Sequence, residues 1–425
     1  MTATTLSTSG LSPSKIPPFD AEAVRRDFPF LTEGRDPAGA PPVFLDSAAS
    51  AQKPRPVLDA MTAFYEGSYA NIHRGLYDLA ARADAAYDGA REKVRAFIGA
   101  ERTEEVVFVR GTTEGINLVA QSFLAPRLAV DDEVIVSELE HHSNLVPWQQ
   151  VCRRAGASLK VAPIGDDGAL DLDALEGLIG SRTRLIAITH LSNAIGTVVP
   201  ISKVTALARH HGVPVLVDGA QAVPHGPVNI QELGCDFYVF SGHKMFGPTG
   251  IGVLWGRYER LAAMEPYQSG GGMIQYVTFD KAEFEDPPSR FEAGTPNIAG
   301  AVGLGAAVDY LGSLDWRALA AHEKDLLTYA EERLREVPGL ELIPAGSEQQ
   351  AVLSFVMEGA HAHDVGTVLA SRGVAVRAGH HCAQPLMRRL GVPATTRASF
   401  ALYNCRQDVD ALAEGLRTVR QLFAP

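Results

Sequence analysis

The run FSGHKMFGPTG, positions 240–250, sets Lys244 directly after a histidine, where an apolar strand gives way to turn residues. A lysine there can be an ordinary surface cation. It can also be a nucleophile, because an amine drawn out of water sheds its proton and condenses with a carbonyl group. Upstream, VLVDGAQAV ends an apolar run on Asp218, with Gln221 three residues later. That carboxylate either caps a turn, as in many Asp-Gly pairs, or meets a cation such as a protonated ring nitrogen. RGTTEGIN places Thr112 and Thr113 between glycines at a strand-to-helix turn. They form either a plain helix cap, with Glu114 in the first turn, or a phosphate seat of backbone N–H groups and hydroxyls. SELEHHSN adds His141 and His142 after another strand. A histidine so placed is a structural side chain, or one that stacks on a planar cofactor and moves protons. The nucleotide patterns GxxxxGK[ST] and GxGxxG are absent.

A Schiff-base lysine, an aspartate for a pyridinium nitrogen, a Thr/Gly phosphate seat and a stacking histidine are together what pyridoxal phosphate requires. Their order and spacing resemble the class V aminotransferase family, of fold-type I. The resemblance implies that Lys244 carries the cofactor, with Ser241 and His243 at its phosphate beside Thr112 and Thr113. It further implies Asp218 at the ring nitrogen, Gln221 at the ring oxygen and His141 stacked on the ring.

VAVRAGHHCAQPLM, positions 374–387, then places Cys382 behind two histidines, with Arg377 five residues earlier. A lone cysteine is commonly a small buried hydrophobe. Polar, positively biased surroundings instead favour a partly exposed thiolate. The string resembles the Suf branch of the cysteine desulfurases, in which this cysteine accepts sulfur from the substrate. ANIHRGLYDLA with His73, THLSNAIGTVVPI with Asn193 and FEAGTPNIAG with Thr295 match the same branch. The resemblance runs from about residue 20 to the carboxyl end.

What it implies is a desulfurase that turns L-cysteine into L-alanine. Lys244 moves the Cα proton and Cys382 holds the sulfur as a persulfide, for iron–sulfur cluster assembly. Thr295 would reach the phosphate of a second subunit, making the protein a homodimer. His73 and Asn193 would lie around the substrate, Asn193 at the cofactor as well, and Arg397, in TTRASFALY, would clamp the substrate carboxylate. Arg377 would steady the cysteine loop or lower its thiol pKa. A sulfur-acceptor protein of the Suf system would collect the persulfide. The rival readings are a selenocysteine lyase, another class V aminotransferase-type enzyme in which Cys382 is incidental, and a non-catalytic assembly partner.

The elements that must position these groups are legible as well. From about residue 104, strands alternate with helices: EEVVFV, DEVIVS, RLIAITH, VPVLVDGA and CDFYVFSGH are separated by helical runs such as KVTALARHHG. That alternation predicts βα units around a mostly parallel sheet, which binds ligands at the carboxyl ends of its strands. All the clusters named above, from Thr112–Thr113 to Ser241–Lys244, follow such strands. After about residue 310, DWRALAAHEKDLLTYAEERLREV reads as one amphipathic helix. AVLSFVM, VAVRAG and TRASFALY read as strands, and HDVGTVLASRG and DVDALAEGLRTVRQLF as helices. The expected fold is therefore α/β, the fold-type I arrangement of a large domain with a mostly parallel sheet and a smaller α/β carboxyl-terminal domain. The expected boundaries are a disordered tail over 1–18, a segment over 19–36 packing with the small domain, a large cofactor domain over 37–309 and a small domain with the cysteine loop over 310–425.

Composition excludes several classes. The 425 residues carry 38 basic and 50 acidic side chains, a net charge of −12, which argues against nucleic-acid binding. There is no apolar run of about 18 residues and hence no expected membrane span. The first eighteen residues, rich in Ser, Thr and Pro, lack the basic start and apolar core of a signal peptide. Four cysteines without a CxxC pair fit a reducing cytoplasm and argue against a structural metal or iron–sulfur cluster.

Overall fold

The computed structural model describes residues 18–34, 39 and 41–423. The expected disordered tail lies, but for its last residue, outside the described residues. The chain first makes a short strand, β1 (Val43–Phe44). The central sheet then takes β2 (Val106–Val109), β3 (Glu133–Ser137), β4 (Ser158–Ala162), β5 (Thr183–Thr189), β6 (Val215–Asp218), β7 (Phe237–Ser241) and β8 (Gly252–Gly256). Their order across the sheet is β2-β8-β7-β6-β5-β3-β4. Only β8 runs against its neighbours, so β2, β3, β5, β6 and β7 all end on one rim. β6, β7 and β8 are buried at every position, as strands covered on both faces must be, and their sequences are correspondingly continuous apolar runs. The chain turns outward from β3 to β4 and then returns to place β5 on the other side of β3. That reversal opens a crevice at the carboxyl ends of β3 and β5.

After a surface hairpin of β9 (Ile274–Val277) and β10 (Ala282–Phe284), the chain enters the helix Ile298–Gly312. This helix is apolar on nearly every face and packs on the helices Arg55–Gly67 and Asp78–Ile98. The segment before it is fixed by charge. Glu292 accepts both Arg91 Nη1 at 2.7 Å and Nη2 at 2.9 Å, the Tyr87 hydroxyl at 2.8 Å and the Phe108 amide at 2.7 Å. Both partners of this ion pair are buried.

The helix Trp316–Arg335 follows, close to the span read from its periodicity and N-capped by Asp315. The smaller sheet is antiparallel, in the order β11-β12-β15-β14, from β11 (Leu340–Leu342), β12 (Val352–Met357), β14 (Arg377–Gly379) and β15 (Thr395–Ser399). The run VAVRAG is not one strand. It divides into β13 (Val374–Ala375), which pairs parallel with β1, and β14, which pairs with β15. β15 stops at Ser399, not Tyr403, because Asn404 accepts the Ala401 amide and closes a turn. Leu45 lies in the same buried cluster as Leu353, Phe355, Ala398 and Leu412. Residues 43–46, at the head of the expected large domain, thus pack into the small one. Arg25 binds Asp408 and the Tyr403 carbonyl, while Phe28 packs on both Phe246 and Tyr403. Among the described residues no helix is long and apolar enough to cross a membrane.

Glu292→Ala is expected to cost about 3–5 kcal/mol, because it leaves Arg91 charged and unpaired inside the protein. The check is the urea midpoint, with Arg91→Met/Glu292→Leu recovering most of the loss. An unchanged midpoint for Glu292→Ala would mean that this ion pair does not anchor the segment.

Candidate active site

The rim of the large sheet and the first strands of the small one enclose a pocket of about 780 Å³, counted to its open mouth. Thr112, Thr113, His141, Asn193, Asp218, Gln221, Ser241, His243 and Lys244 line it from the large domain, and Arg377, Cys382 and Arg397 from the small domain. Each large-domain residue follows the end of a strand, so the sheet topology alone gathers them.

At the Thr112 end of the pocket, the Ser241 hydroxyl lies 2.8 Å from both the amide and the hydroxyl of Thr112. The approach is close because Gly111 and Gly252 carry no side chain. A Cβ on Gly252 would sit 2.6 Å from the Gly111 Cα, and Gly111 itself has φ +154°. The helix beginning at Thr112 turns its first N–H groups toward this place.

Lys244 stands in the turn after β7 and is half-buried. Burial pushes its pKa down to about 8, Asp218 holds it up, and Arg397 presses it down again. Asp218, at the end of β6, is buried, and among the described residues its carboxylate accepts only the Ala220 amide, at 3.0 Å. Burial raises its pKa and the Lys244 charge opposes that rise. Gln221 donates to the Ala48 carbonyl at 2.6 Å. His141 has its pKa pushed down to about 3, first by burial and then by Lys244. Its Nδ1 receives the Ser143 amide at 3.0 Å, and an amide can only donate, so the neutral ring carries its proton on Nε2. Behind it, Glu140 is buried and binds Ser137, Asn144 and the Thr189 amide, fixing the floor of the β3–β5 crevice.

The small domain supplies the other wall. Arg397 is 1% exposed, so its guanidinium is withdrawn from solvent at the pocket wall. Its Nη1 donates to the Asn193 carbonyl at 2.9 Å and its Nη2 to Asp46 at 2.8 Å, while Nε has no partner. Arg377 Nε lies 3.3 Å from the other Asp46 oxygen. Cys382 is exposed at the pocket wall, with φ +55° after His381 at φ +52°. The Cys382 carbonyl accepts the His142 amide at 2.7 Å, His142 Nε2 accepts the Gln384 amide at 3.1 Å, and Asn193 Nδ2 donates to the His381 carbonyl at 2.7 Å. His142 therefore supports the cysteine loop and does not line the pocket.

Two expected site residues are not brought in. His73 and Thr295 are both exposed and do not line the pocket of their own chain. His73 is turned at φ +76° so that its amide meets Asp84 at 2.6 Å, with its ring 3.5 Å from the same carboxylate. Thr295 lies beyond the Glu292 anchor, on the outer surface. Sequence reasoning missed Asp46, with its neighbours Ala48 and Ala49, and Lys53. LDSAAS carries the same strand-end aspartate signature that marks Asp218, so the signal was present. Lys53 Nζ and the Ala51 amide both donate to the His243 carbonyl, the peptide that leads into Lys244.

The donor set fits pyridoxal phosphate. It offers a lysine able to shed its proton, a buried carboxylate placed for a ring cation, hydroxyls and amides at a helix start, and a buried guanidinium nitrogen without a partner. Groups of three or more His, Cys, Asp or Glu side chains that could hold a metal ion are absent among the described residues.

The sequence matches the family model for class V aminotransferases over residues 43–412. A cysteine desulfurase of Klebsiella pneumoniae is 51% identical over 406 residues, covering 95% of this chain and 99% of that protein. A probable cysteine desulfurase of Mycobacterium leprae is 49% identical over 403 residues, but this chain spans only 66% of its length. The cysteine desulfurase CsdA of Escherichia coli superposes with a TM-score of 0.89 at 42% identity, covering 96% of this chain and all of that one.

Trapping of Lys244 by a small aldehyde and borohydride should rise with pH through about 8, because the amine is neutral only above that value. Lys244→Ala should abolish the label, read by peptide mass mapping. Asp218→Asn removes the charge that raises the lysine pKa and should move the midpoint to lower pH. A midpoint near that of a free lysine would refute the burial argument.

Proposed function

This chain belongs to the class V aminotransferase family, and on that premise we propose that it is a pyridoxal-phosphate-dependent cysteine desulfurase. The observation that carries the reading is one pocket holding Lys244, Asp218 and an exposed Cys382. Lys244 would hold the cofactor, Thr112, Thr113, Ser241 and His243 its phosphate, Asp218 its ring nitrogen, Gln221 its ring oxygen and His141 its face. When bound, the cofactor supplies an electron sink for a carbanion at the substrate Cα.

The rest is the work of the chain. Arg397, preset by Asp46 and Asn193, offers the substrate carboxylate its unpartnered Nε. Lys244 Nζ takes the Cα proton of L-cysteine, and its lowered pKa makes it a base near neutrality. His141, neutral with its proton on Nε2, holds a donor over the pocket. The Cys382 thiolate attacks the substrate sulfur. An S–S bond forms, the C–S bond breaks, and its electron pair stays with the substrate carbon, which takes up protons to give L-alanine. Cys382 is left as a persulfide, so L-cysteine and the thiol become L-alanine and the persulfide without outside oxidant.

The motif Arg377-Ala-Gly-His-His-Cys382 supports the Suf-type branch, with an acceptor protein collecting sulfur at the exposed Cys382 for iron–sulfur cluster assembly. A homodimer is part of the same proposal. Thr295 and His73 are exposed, as are the large side chains Tyr65, Tyr69, Tyr276 and Phe279, so a second copy could cover apolar surface and receive Thr295. The four unpaired thiols suit the cytoplasm.

Purified protein should show a visible cofactor band and form alanine from L-cysteine. Cys382→Ala should keep the band and lose alanine formation by about 10³-fold or more. Equal alanine production by the variant would overturn sulfur transfer through Cys382.

A further inference from the structure

Arg377 and Arg397 are direct cross-strand partners in the β14–β15 register. Like charges directly opposite one another on neighbouring strands repel, and Arg397 is also buried. Asp46 answers both. It is bridged in parallel to Ser399, two residues beyond Arg397, and divides its carboxylate between Arg397 at 2.8 Å and Arg377 at 3.3 Å. The side chain is 19% exposed, so the interaction is only partly screened.

We propose that Asp46 is a specificity-determining residue. By cancelling one of the two arginine charges it leaves this end of the pocket with a single net positive charge, matched to an amino acid with one carboxylate and matched poorly to one with two. This rests on the reading of the pocket as an amino-acid site. Lys244 and Asp218, the other opposite charges lining the pocket, offset one another, and a thiolate at Cys382 would disfavour a second carboxylate further while being common to every variant compared. A monocarboxylate such as L-cysteine or L-alanine completes neutrality at Arg397, whose Nε has no partner among the described residues. A second carboxylate, as in L-aspartate, finds no uncancelled cation, because Asp46 has already taken up the charge of the other arginine. Asp46 touches the arginines and does not line the pocket, so it acts through them.

The test is the affinity of the holoenzyme for L-alanine and L-aspartate, each titrated by its effect on the visible spectrum at fixed ionic strength. Asp46→Asn keeps the shape and removes the charge. It should shift the ratio of the two dissociation constants toward L-aspartate by about tenfold, equal to ~1.4 kcal/mol. Arg377→Gln alone should move the ratio the other way. The double variant, which restores the net charge, should return it to the wild-type value. A merely structural Asp46 would weaken both ligands together at constant ratio, with no recovery in the double variant, and that result overturns the proposal. If Asp46→Asn fails to fold, Arg377→Gln decides: an unmoved ratio is equally fatal. Wild-type holoenzyme with no saturable response to either ligand or to L-cysteine would instead bring down the amino-acid reading, and the charge argument with it.

Discussion

Lys244 and Asp218, opposite charges largely withdrawn from water at the ends of neighbouring strands, are the constraint on which the rest of the molecule depends. Neither group is stable there alone, because desolvation drives the lysine toward its neutral amine and the aspartate toward its acid. Each holds part of the other's charge in place. Parallel strands packed on both faces bring two such groups to one rim without exposing the backbone between them. The buried apolar runs of β6 and β7 are the price of that arrangement.

Residues 46–53 tie the two halves of the pocket together. Asp46 reaches the small-domain arginines, the Ala48 carbonyl receives Gln221, and Ala51 and Lys53 hold the peptide before Lys244. The Ala48 amide also meets the Ser399 hydroxyl, and Gln52 and Ser47 meet that of Tyr403. One short segment therefore fixes the distance between the lysine wall and the arginine wall. A shift of the small domain would be felt at Lys244 through these hydrogen bonds.

The strand ends were legible because a covered parallel strand must be apolar throughout, and a polar residue closing such a run stands out. Thr112, His141, Asp218 and Lys244 were found this way, and the structure gathers them in one pocket. The helix Ile298–Gly312 escaped because it is apolar on nearly every side and shows almost no period. Asp46 escaped for a different reason. β1 is two residues long, too short to read as a strand by itself, and its partner β13 lies more than three hundred positions away, so the aspartate of LDSAAS has no legible strand to close until the two pair. The division of VAVRAG between two sheets is illegible for the same cause: the run is continuous in composition and changes only in what it pairs with. His73 and Thr295 follow from the resemblance alone, and nothing local in the sequence fixes where they lie in the fold.

The cysteine loop shows how the fold positions a reactive group at a cost. His381 and Cys382 both adopt positive φ, a backbone region that disfavours side chains by about 1–3 kcal/mol per residue. The loop persists because its carbonyls are held, that of His381 by Asn193 and that of Cys382 by the His142 amide, while Gln384 closes on the His142 ring. These anchors come from the large domain, after β3 and β5, so the crevice that receives the substrate also grips the loop. A thiol held at such short range has no room for a long excursion. On the proposed function, sulfur transfer would take place where Cys382 stands, at the pocket wall, and an acceptor would come to it.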